Sequence, residues 1–432
     1  MQEFFERITP IDIQDKHQRQ EYSRDKARII HSASFRRLQG KTQILGLGES
    51  DFYRNRLTHS LETAQISNGI LEQLLQNNIN SKYHEYMPAP QLLDAISLAH
   101  DIGHPPFGHS GETALNYCML KHANKSFEGN AQTLRICTKL GEYSDNDGFN
   151  LTRRTLLGLV KYPSVDKKDD KICEFKSNIN ISHFKPHKFC FYTPEILDWI
   201  IKPFSLADQK LFISIHNNKT LYKSFDCSIM EIADDIAYGV HDLEDAIQLG
   251  IIDKSKWHEQ VIGIYLDNPQ IYGIDRDKGM DINKIQLLTD NLFLGQRQRK
   301  QCIGQLVHHF ISSVQVIKQE KFEHNLLDLQ AVLPLHIKNQ LDLIKKFILN
   351  NEICKFEVTS LNYKGQQMII KLFDTIISNP KDLLPISDYN KYAEHKDPRI
   401  ICDYIAGTTD RYLVKIYERI FVPNKGSVFD KL

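Results

Sequence analysis

The stretch “PQLLDAISLAHDIGHPPFGHSGE” (residues 90–112) joins a regular apolar repeat to a dense group of titratable residues. In its first half, apolar residues recur at three- and four-residue steps, which predicts the packed face of an α-helix. That face consists of Leu92, Leu93, Ile96 and Ala99. Gly103 is predicted to end the helix, and the two prolines that follow bar its continuation and turn the chain. The sequence therefore places His100 and Asp101 at the end of a helix, just before a rigid bend.

Helical periodicity also dominates the rest of the chain. The clearest further examples are “SIMEIADDIAYGVHDLEDAIQLG” (228–250), “IGQLVHHFISSVQVIKQ” (303–319) and “ICDYIAGTTDRYLVKIYERIF” (401–421). Strand-like alternation is scarce, and “KICEFKSNINIS” (171–182) is the best candidate for a short β-hairpin. These patterns predict a predominantly α-helical protein.

The composition narrows the class of protein. The 432 residues include 54 Lys and Arg against 54 Asp and Glu, so the global charge favours no particular partner. The eight cysteines contain no CxxC pair, which argues against a disulfide framework or a zinc ribbon. The N-terminal stretch is charged throughout and is not a secretory signal. With no uncharged apolar stretch of about 18 residues, no membrane span is expected, and we predict a cytoplasmic protein.

Two other segments carry residues that could act together with His100 and Asp101. “NRLTHSLET” (55–63) contains His59, and the helix predicted at 231–246 carries Asp234, Tyr238 and Asp242 at i, i+4 and i+8, on one face. The helical wheel alone permits a solvated face, and the His-Asp pair alone could be a helix-end partner and a turn former. However, residues 229–249 contain six acidic side chains and no Lys or Arg. Such a helix is self-repelling unless a cation lies nearby.

His59, the His100–Asp101 pair and Asp234 follow the order H…HD…D of the HD-domain metal-dependent phosphohydrolases. Longer stretches narrow the resemblance, and they follow in order from about residue 20 to 420. They are “SFRRLQGKTQI”, “RNRLTHSLE”, “AHDIGHPPFGHSGE”, “FEGNAQTLR”, “ADDIAYGVHDLEDA” and “DYIAGTTDRY”. Each resembles a signature stretch of the deoxynucleoside triphosphate triphosphohydrolases, the dGTPase-like proteins. The resemblance implies an all-α fold, an HD-domain helical bundle with additional C-terminal helices.

We expect a single HD-superfamily domain over residues 1–432, because no repeat or flexible linker divides the chain. Its metal core is predicted at about residues 24–140 and 225–250. A less helical insertion follows the first part of the core at about 141–192, and a C-terminal helical region covers about 290–432.

The resemblance implies hydrolysis of dGTP, or of several dNTPs, to a deoxynucleoside and inorganic triphosphate. It also implies that His59, His100, Asp101 and Asp234 bind a divalent metal. Mixed nitrogen and oxygen ligands suit an octahedral ion, and we expect Mn²⁺ or Mg²⁺, with Fe²⁺ or Ni²⁺ as alternatives. Structural zinc would favour cysteine ligands, and no cysteine lies in these motifs.

This chemistry needs a proton donor near the leaving 5′-oxygen and cations around the triphosphate. His109 is the candidate for the proton, held by Glu112 three residues later, because a carboxylate-oriented histidine suits general acid–base catalysis. By resemblance, Arg56 contacts the α-phosphate, and its forked donors suit that role. Weaker candidates for contact with phosphate are His104, Lys161 and Lys188.

The nucleoside requires its own contacts. By resemblance, Tyr238 stacks on the deoxyribose, Asp242 binds the 3′-hydroxyl, and Gln43 lies near the base. Glu128 in “FEGNAQ” is expected to hold a metal-bound histidine or water, and a purely structural role for it is an equal alternative.

Two other functions stay open at this point. One is an HD nucleotidase or phosphodiesterase, and the other is a binding protein that senses nucleotides or single-stranded DNA, for which the basic residues between 19 and 56 could serve. By resemblance we expect a homo-oligomer, a hexamer in preference to a tetramer, and a dNTP activator at a second site.

Overall fold

Helices make up the architecture, which confirms the all-α prediction. The computed structural model describes residues 1–10, 20–42, 54–76, 81–167, 181–217, 219–273, 289–353 and 356–425. Within these ranges the strands form two short antiparallel pairs, β1 (Ile215–His216) with β2 (Lys219–Thr220) and β3 (Gln315–Lys318) with β4 (Leu329–Val332). Neither pair was predicted. The helix expected at 303–319 ends at Ser312, and the prediction is wrong for β3 because residues 315–318 pair with β4 instead. The hairpin expected at 171–182 lies almost wholly outside the described residues, as does Gln43.

The α-helices of the described residues are numbered in chain order. They are α1 (Glu21–His31), α2 (Ala33–Arg37), α3 (Arg56–Gln76), α4 (Pro90–Ala99), α5 (Gly108–Ala123), α6 (Gly129–Arg135), α7 (Arg153–Leu159), α8 (Pro194–Ile201), α9 (Leu206–Phe212), α10 (Phe225–Ile236), α11 (Asp242–Gln248), α12 (Lys254–Trp257), α13 (Gly263–Asp267), α14 (Gln296–Ser312), α15 (Asn325–Asp328), α16 (Leu335–Ile348), α17 (Phe356–Ser378), α18 (Pro380–Leu383), α19 (Ile386–His395), α20 (Pro398–Ala406) and α21 (Asp410–Phe421). Among the described residues, no helix has the length and apolar character needed to cross a membrane.

The chain forms two compact units. The first comprises Met1–Ser60, Leu98–Lys223 and Ser360–Leu432, and the second comprises Leu61–Ser97 and Ser224–Thr359. The single domain expected over residues 1–432 remains a prediction.

The core of the first unit fixes the position of α5. This helix buries apolar side chains against residues of α17 and α20, and burying each large one stabilises the fold by about 1.5–3 kcal/mol. The packed residues include Ala114, Leu115, Met119, Ile369, Leu372, Phe373, Ile401 and Ile405. Because α5 also carries His109 and Glu112, the same core positions both of these side chains.

In the second unit, α3 and α4 are joined by two side-chain hydrogen bonds. The hydroxyls of Ser67 and Ser97 lie 2.8 Å apart, and the Asn68 amide donates to the Asp94 carboxylate at 2.8 Å. The residue numbers of the bonded pairs increase along α3, from 67 to 68, while they decrease along α4, from 97 to 94. The two helices therefore run antiparallel. The start of α3, with His59, is therefore directed toward the end of α4, after which His100 follows.

The helix predicted at 231–246 is present, but it is interrupted. It consists of α10, a π-helical turn at Ala237–His241, and α11. A π turn holds more residues than an α turn, so it changes the direction of the side chains that follow it. The regular i, i+4, i+8 alignment that the sequence predicts therefore does not apply to Asp242.

Candidate functional site

Two histidines lie side by side in the first unit. The ring centroids of His59 and His100 are 5.4 Å apart, and both side chains are buried. His59 belongs to the first turn of α3, and His100 directly follows α4. Two imidazoles at this separation, with the Asp101 carboxylate adjoining, form a nitrogen and oxygen donor set that suits a divalent first-row ion. The residues of the first unit therefore fit the predicted metal.

The Asp101 carboxylate is surrounded by cationic or polar partners. Arg56 Nη1 donates to Oδ2 at 2.5 Å, and His104 Nδ1 lies 3.1 Å from Oδ1. Burial by itself would raise the pKa of Asp101, but His104, Arg56 and His100 outweigh it and hold that pKa well below its ordinary value. Asp101 is thus kept ionised, as a metal-binding carboxylate must be. Arg56 and His104, both predicted to contact phosphate, lie beside this carboxylate.

A sharp turn separates the metal-binding candidates from α5. Gly103 is required in this turn, because a Cβ atom there would lie 2.1 Å from the backbone nitrogen of Thr133. The Thr133 hydroxyl also accepts from the Gly103 amide at 3.1 Å and donates to the His100 carbonyl at 3.2 Å. The bend that the prolines predict is therefore packed closely against α6.

His109 and Glu112 form the pair that their spacing predicts. His109 Nδ1 lies 3.1 Å from Glu112 Oε2, and the histidine side chain is 74% exposed whereas the glutamate is 1% exposed. The rings of His104 and His109 lie 5.6 Å apart. Burial alone would raise the pKa of Glu112, but His109, Lys188 and His104 lower it below its ordinary value. The geometry is that of a solvent-accessible histidine oriented by an ionised, buried carboxylate.

Lys188 contacts two buried glutamates. Its ammonium lies 2.8 Å from Glu128 Oε1 and 3.5 Å from Glu112 Oε1. Glu128 Oε2 accepts from the Ala131 amide at 2.9 Å and so caps α6, a structural role that the sequence left open. Burial and the nearby Glu112 raise the pKa of Glu128, and the Lys188 charge opposes them. Lys188 thus links the His109–Glu112 pair to α6. The other lysine predicted to contact phosphate, Lys161, is half-buried just after α7.

In the second unit, the structure places three further candidates on one helical segment. Asp234 and Tyr238 are half-buried, and Asp242 is buried. The surplus of acids that the sequence analysis noted is partly neutralised by lysines from other helices. Lys345 Nζ lies 2.5 Å from Asp235 Oδ1 and Lys300 Nζ lies 2.7 Å from Glu244 Oε1. The argument that these acids demand a bound cation is therefore weaker than the sequence suggested.

Two residues contact this turn in a way that the sequence did not predict: Asp410 carried no predicted role, and Lys41 was counted only among the basic residues between 19 and 56. Lys41 Nζ donates to the His104 carbonyl at 2.6 Å, and Asp410 Oδ1 accepts from the Phe107 amide at 3.0 Å. Both lie in stretches that resemble family signatures, “GKTQI” and “TTDRY”. That resemblance was the available signal, but it could not show that these side chains contact residues 104–107.

Comparisons with known proteins show the family of this chain. The sequence matches the HD domain over residues 56–148 and the phosphohydrolase-associated domain over residues 331–419. It is 41% identical over 433 residues to a deoxyguanosinetriphosphate triphosphohydrolase-like protein of Shewanella halifaxensis, covering 95% of this chain and 94% of that protein. It is 42% identical over 437 residues to deoxyguanosinetriphosphate triphosphohydrolase-like protein 2 of Deinococcus radiodurans, covering 98% of each. The chain therefore belongs to the HD-domain family of deoxyguanosinetriphosphate triphosphohydrolase-like proteins.

Proposed function

We propose that this protein is a metal-dependent dNTP triphosphohydrolase, which acts on dGTP or on several dNTPs. The observation that carries the proposal is the arrangement in the first unit. There, a group of metal-binding candidates consists of His59, His100 and Asp101. One packed turn further along the chain from Asp101 lie the exposed His109 and its buried partner Glu112. Membership of a family whose relatives are named after dGTP hydrolysis supports it.

The proposed metal ligands are His59, His100, Asp101 and Asp234, with Mn²⁺ or Mg²⁺ as the ion. When bound, the ion would polarise a phosphoryl oxygen and lower the pKa of a coordinated water. In the proposed reaction, water oxygen bonds to the α-phosphorus, the bond to the 5′-oxygen breaks, and that oxygen takes up a proton. The products are a deoxynucleoside and inorganic triphosphate.

His109 would supply that proton. Its Nδ1 is engaged by Glu112, so Nε2 is the ring nitrogen that can exchange a proton with a substrate. The Glu112 carboxylate would stabilise the imidazolium form and fix the ring orientation. Positioned general acid–base groups of this kind contribute typically about 10²–10⁴-fold to the rate.

The remaining roles in substrate binding are proposed from the family resemblance. Contacts to the triphosphate are assigned to Arg56, His104, Lys161 and Lys188. The deoxyribose is assigned to Tyr238 and Asp242, and the base to Gln43. We also propose a cytoplasmic homo-oligomer, a hexamer in preference to a tetramer, with a dNTP activator, and with binding of single-stranded DNA as a secondary property.

The test is an assay of all four dNTPs, singly and in mixtures, with Mn²⁺ and with Mg²⁺, in which the products are separated. We expect inorganic triphosphate and deoxynucleoside, and we expect His59→Ala and Asp234→Ala to abolish turnover. Release of orthophosphate alone would refute the proposal in favour of a nucleotidase. Full turnover by either variant would refute the metal assignment. Stimulation of one dNTP by another would support an activator site, and a gel shift would test binding of single-stranded DNA.

A further inference from the structure

The turn between the metal-binding candidates and α5 is held at both ends by charged side chains from distant parts of the chain. At its start, Lys41 Nζ donates to the His104 carbonyl at 2.6 Å. At its end, Asp410 Oδ1 accepts from the Phe107 amide at 3.0 Å. Within the turn, the His104 amide donates to the Asp101 carbonyl at 3.1 Å and the Gly108 amide donates to the Pro105 carbonyl at 3.3 Å. The two intervening prolines have no N–H group, so they add no backbone donor, and Lys41 and Asp410 supplement these bonds from outside the turn.

The end of the turn is strained and therefore needs such support. Phe107 has φ 60°, in the left-handed region that non-glycine residues rarely adopt. Its ring packs closely against Gly365, where a Cβ atom would lie 2.6 Å from Phe107 Cγ. Sparsely populated backbone conformations persist only where their surroundings hold them, and they concentrate at functional sites.

The two segments that carry these residues are also joined to each other. Asp410 Oδ2 accepts from the backbone amide of Thr42, the neighbour of Lys41, at 2.9 Å. Lys41 Nζ also donates to the Ala406 carbonyl at 2.9 Å. Lys41 is 2% exposed and Asp410 is 0% exposed. Burying an amino or a carboxyl group is costly unless the group is hydrogen-bonded, and here both groups are bonded to backbone groups of the turn and of each other's segment.

We propose that Lys41 and Asp410 are positioning residues that fix the His104–Phe107 turn, and through it the placement of His109 relative to His100 and Asp101. His109 is the second residue of α5, and Phe107 directly precedes that helix. Holding the Phe107 amide therefore sets where α5 begins. The kinetic part of this inference rests on the proposed triphosphohydrolase function.

The test compares two variants with matched controls. Asp410→Asn has a single carbonyl oxygen, so it can accept from Thr42 or from Phe107 but not from both. Asp25→Asn is its control, because Asp25 is also buried and accepts from the amide and hydroxyl of Thr152, at 3.0 and 2.7 Å. Asp25 also pairs with Arg7 Nη1 at 2.5 Å, so this control removes more buried bonding than Asp410→Asn does and tests whether destabilisation of the first unit alone lowers kcat. Lys41→Met is compared with Lys121→Met, which removes a partly exposed ion pair to Asp374 in the same unit.

Misplacing a reacting group by about 1 Å can cost about 100-fold in rate. We expect Asp410→Asn and Lys41→Met to lower kcat about 10- to 100-fold, with KM changed by less than about threefold, while both controls keep the wild-type kcat. Hydrogen exchange of peptides covering residues 102–112 should become faster in the two test variants and not in the controls. Lys41→Arg keeps a charged donor, so it should retain more activity than Lys41→Met.

Wild-type kcat in folded Asp410→Asn and Lys41→Met would overturn the inference, as would a loss matched by Asp25→Asn. Unchanged hydrogen exchange at 102–112 would overturn it without any reference to activity. If the wild-type protein hydrolyses no dNTP, the proposed function fails, and the exchange experiment still decides whether Lys41 and Asp410 hold the turn. If Lys41→Met does not fold, kcat and hydrogen exchange of the Lys41→Arg and Asp410→Asn variants provide the test.

Discussion

Replacing Glu112 by Gln tests the proposed proton-handling pair most directly. Glu112 accepts from His109 Nδ1 through Oε2 and from the Gly129 amide through Oε1, the latter at 2.8 Å. Glutamine has the same size and can keep the bond to Gly129, but it carries no charge. In addition, its amide N–H₂ group would face the ring nitrogen of His109. The variant therefore removes the stabilisation of imidazolium and leaves the packing of the side chain intact.

The magnitude follows from the kind of bond that is lost. A hydrogen bond to a charged group contributes about 1.5–3 kcal/mol, and about 1.4 kcal/mol corresponds to a tenfold change in rate. We therefore expect kcat to fall roughly 10- to 150-fold. KM should change little, because Glu112 is 1% exposed and is not expected to touch substrate.

The assay is the initial rate of triphosphate release under saturating metal and dNTP. Asp374→Asn is the matched control, since Asp374 Oδ1 pairs with His122 Nε2 at 2.6 Å in the same unit and outside the proposed site. This control should keep the wild-type kcat. If folded Glu112→Gln retains kcat within about twofold of the wild type, or if Asp374→Asn loses as much, the assignment of the His109–Glu112 pair is wrong.

Three further outcomes are expected from the same region. The pKa of Glu112 is depressed below its ordinary value of 4.5 in the folded state. Its charge therefore stabilises the fold above that pH and progressively less below it. In denaturant titrations, the difference in unfolding free energy between wild type and Glu112→Gln should shrink between pH 6 and pH 3.5. Lys188→Met should lower stability by about 1–3 kcal/mol, because it leaves Glu112 and Glu128 buried without their shared cation, and an unchanged denaturation midpoint would contradict this. Gly103→Ala should destabilise by more than about 2 kcal/mol, since its Cβ would lie 2.1 Å from Thr133 N, and a thermal midpoint equal to the wild type would show that the turn can relax.

The sequence predicted most of what depends on near neighbours. Helical periodicity indicated the all-α fold, and the i, i+3 spacing of His109 and Glu112 predicted the pair that the structure contains. The Gly103 turn was likewise predicted from local signals. These features follow from the backbone geometry of a helix or a turn, which a few consecutive residues determine.

The same local reasoning failed where an element departs from regular geometry. The π-helical turn at Ala237–His241 alters the predicted alignment of Asp234, Tyr238 and Asp242. No residue type in that stretch indicates a π-helical turn. The charge argument for the same helix was incomplete for a related reason. It counted only residues 229–249, whereas Lys300 and Lys345 reach Glu244 and Asp235 from other helices.

The sequence by itself determined the chemical groups and their local order. These groups are a His-Asp pair, a Pro-Pro bend and a second histidine with its carboxylate. Tertiary structure alone decided which distant groups surround them. Arg56 reaches Asp101 across 45 positions, Lys188 reaches Glu128 across 60, and Asp410 reaches Phe107 across 303. Such contacts depend on how helices pack around a core. The hydrophobic effect favours any arrangement that removes apolar surface from water, and it does not select a specific polar partner. The orientation of the candidate site is therefore a property of the packed helices of the first unit, although every residue in it can be read from the sequence.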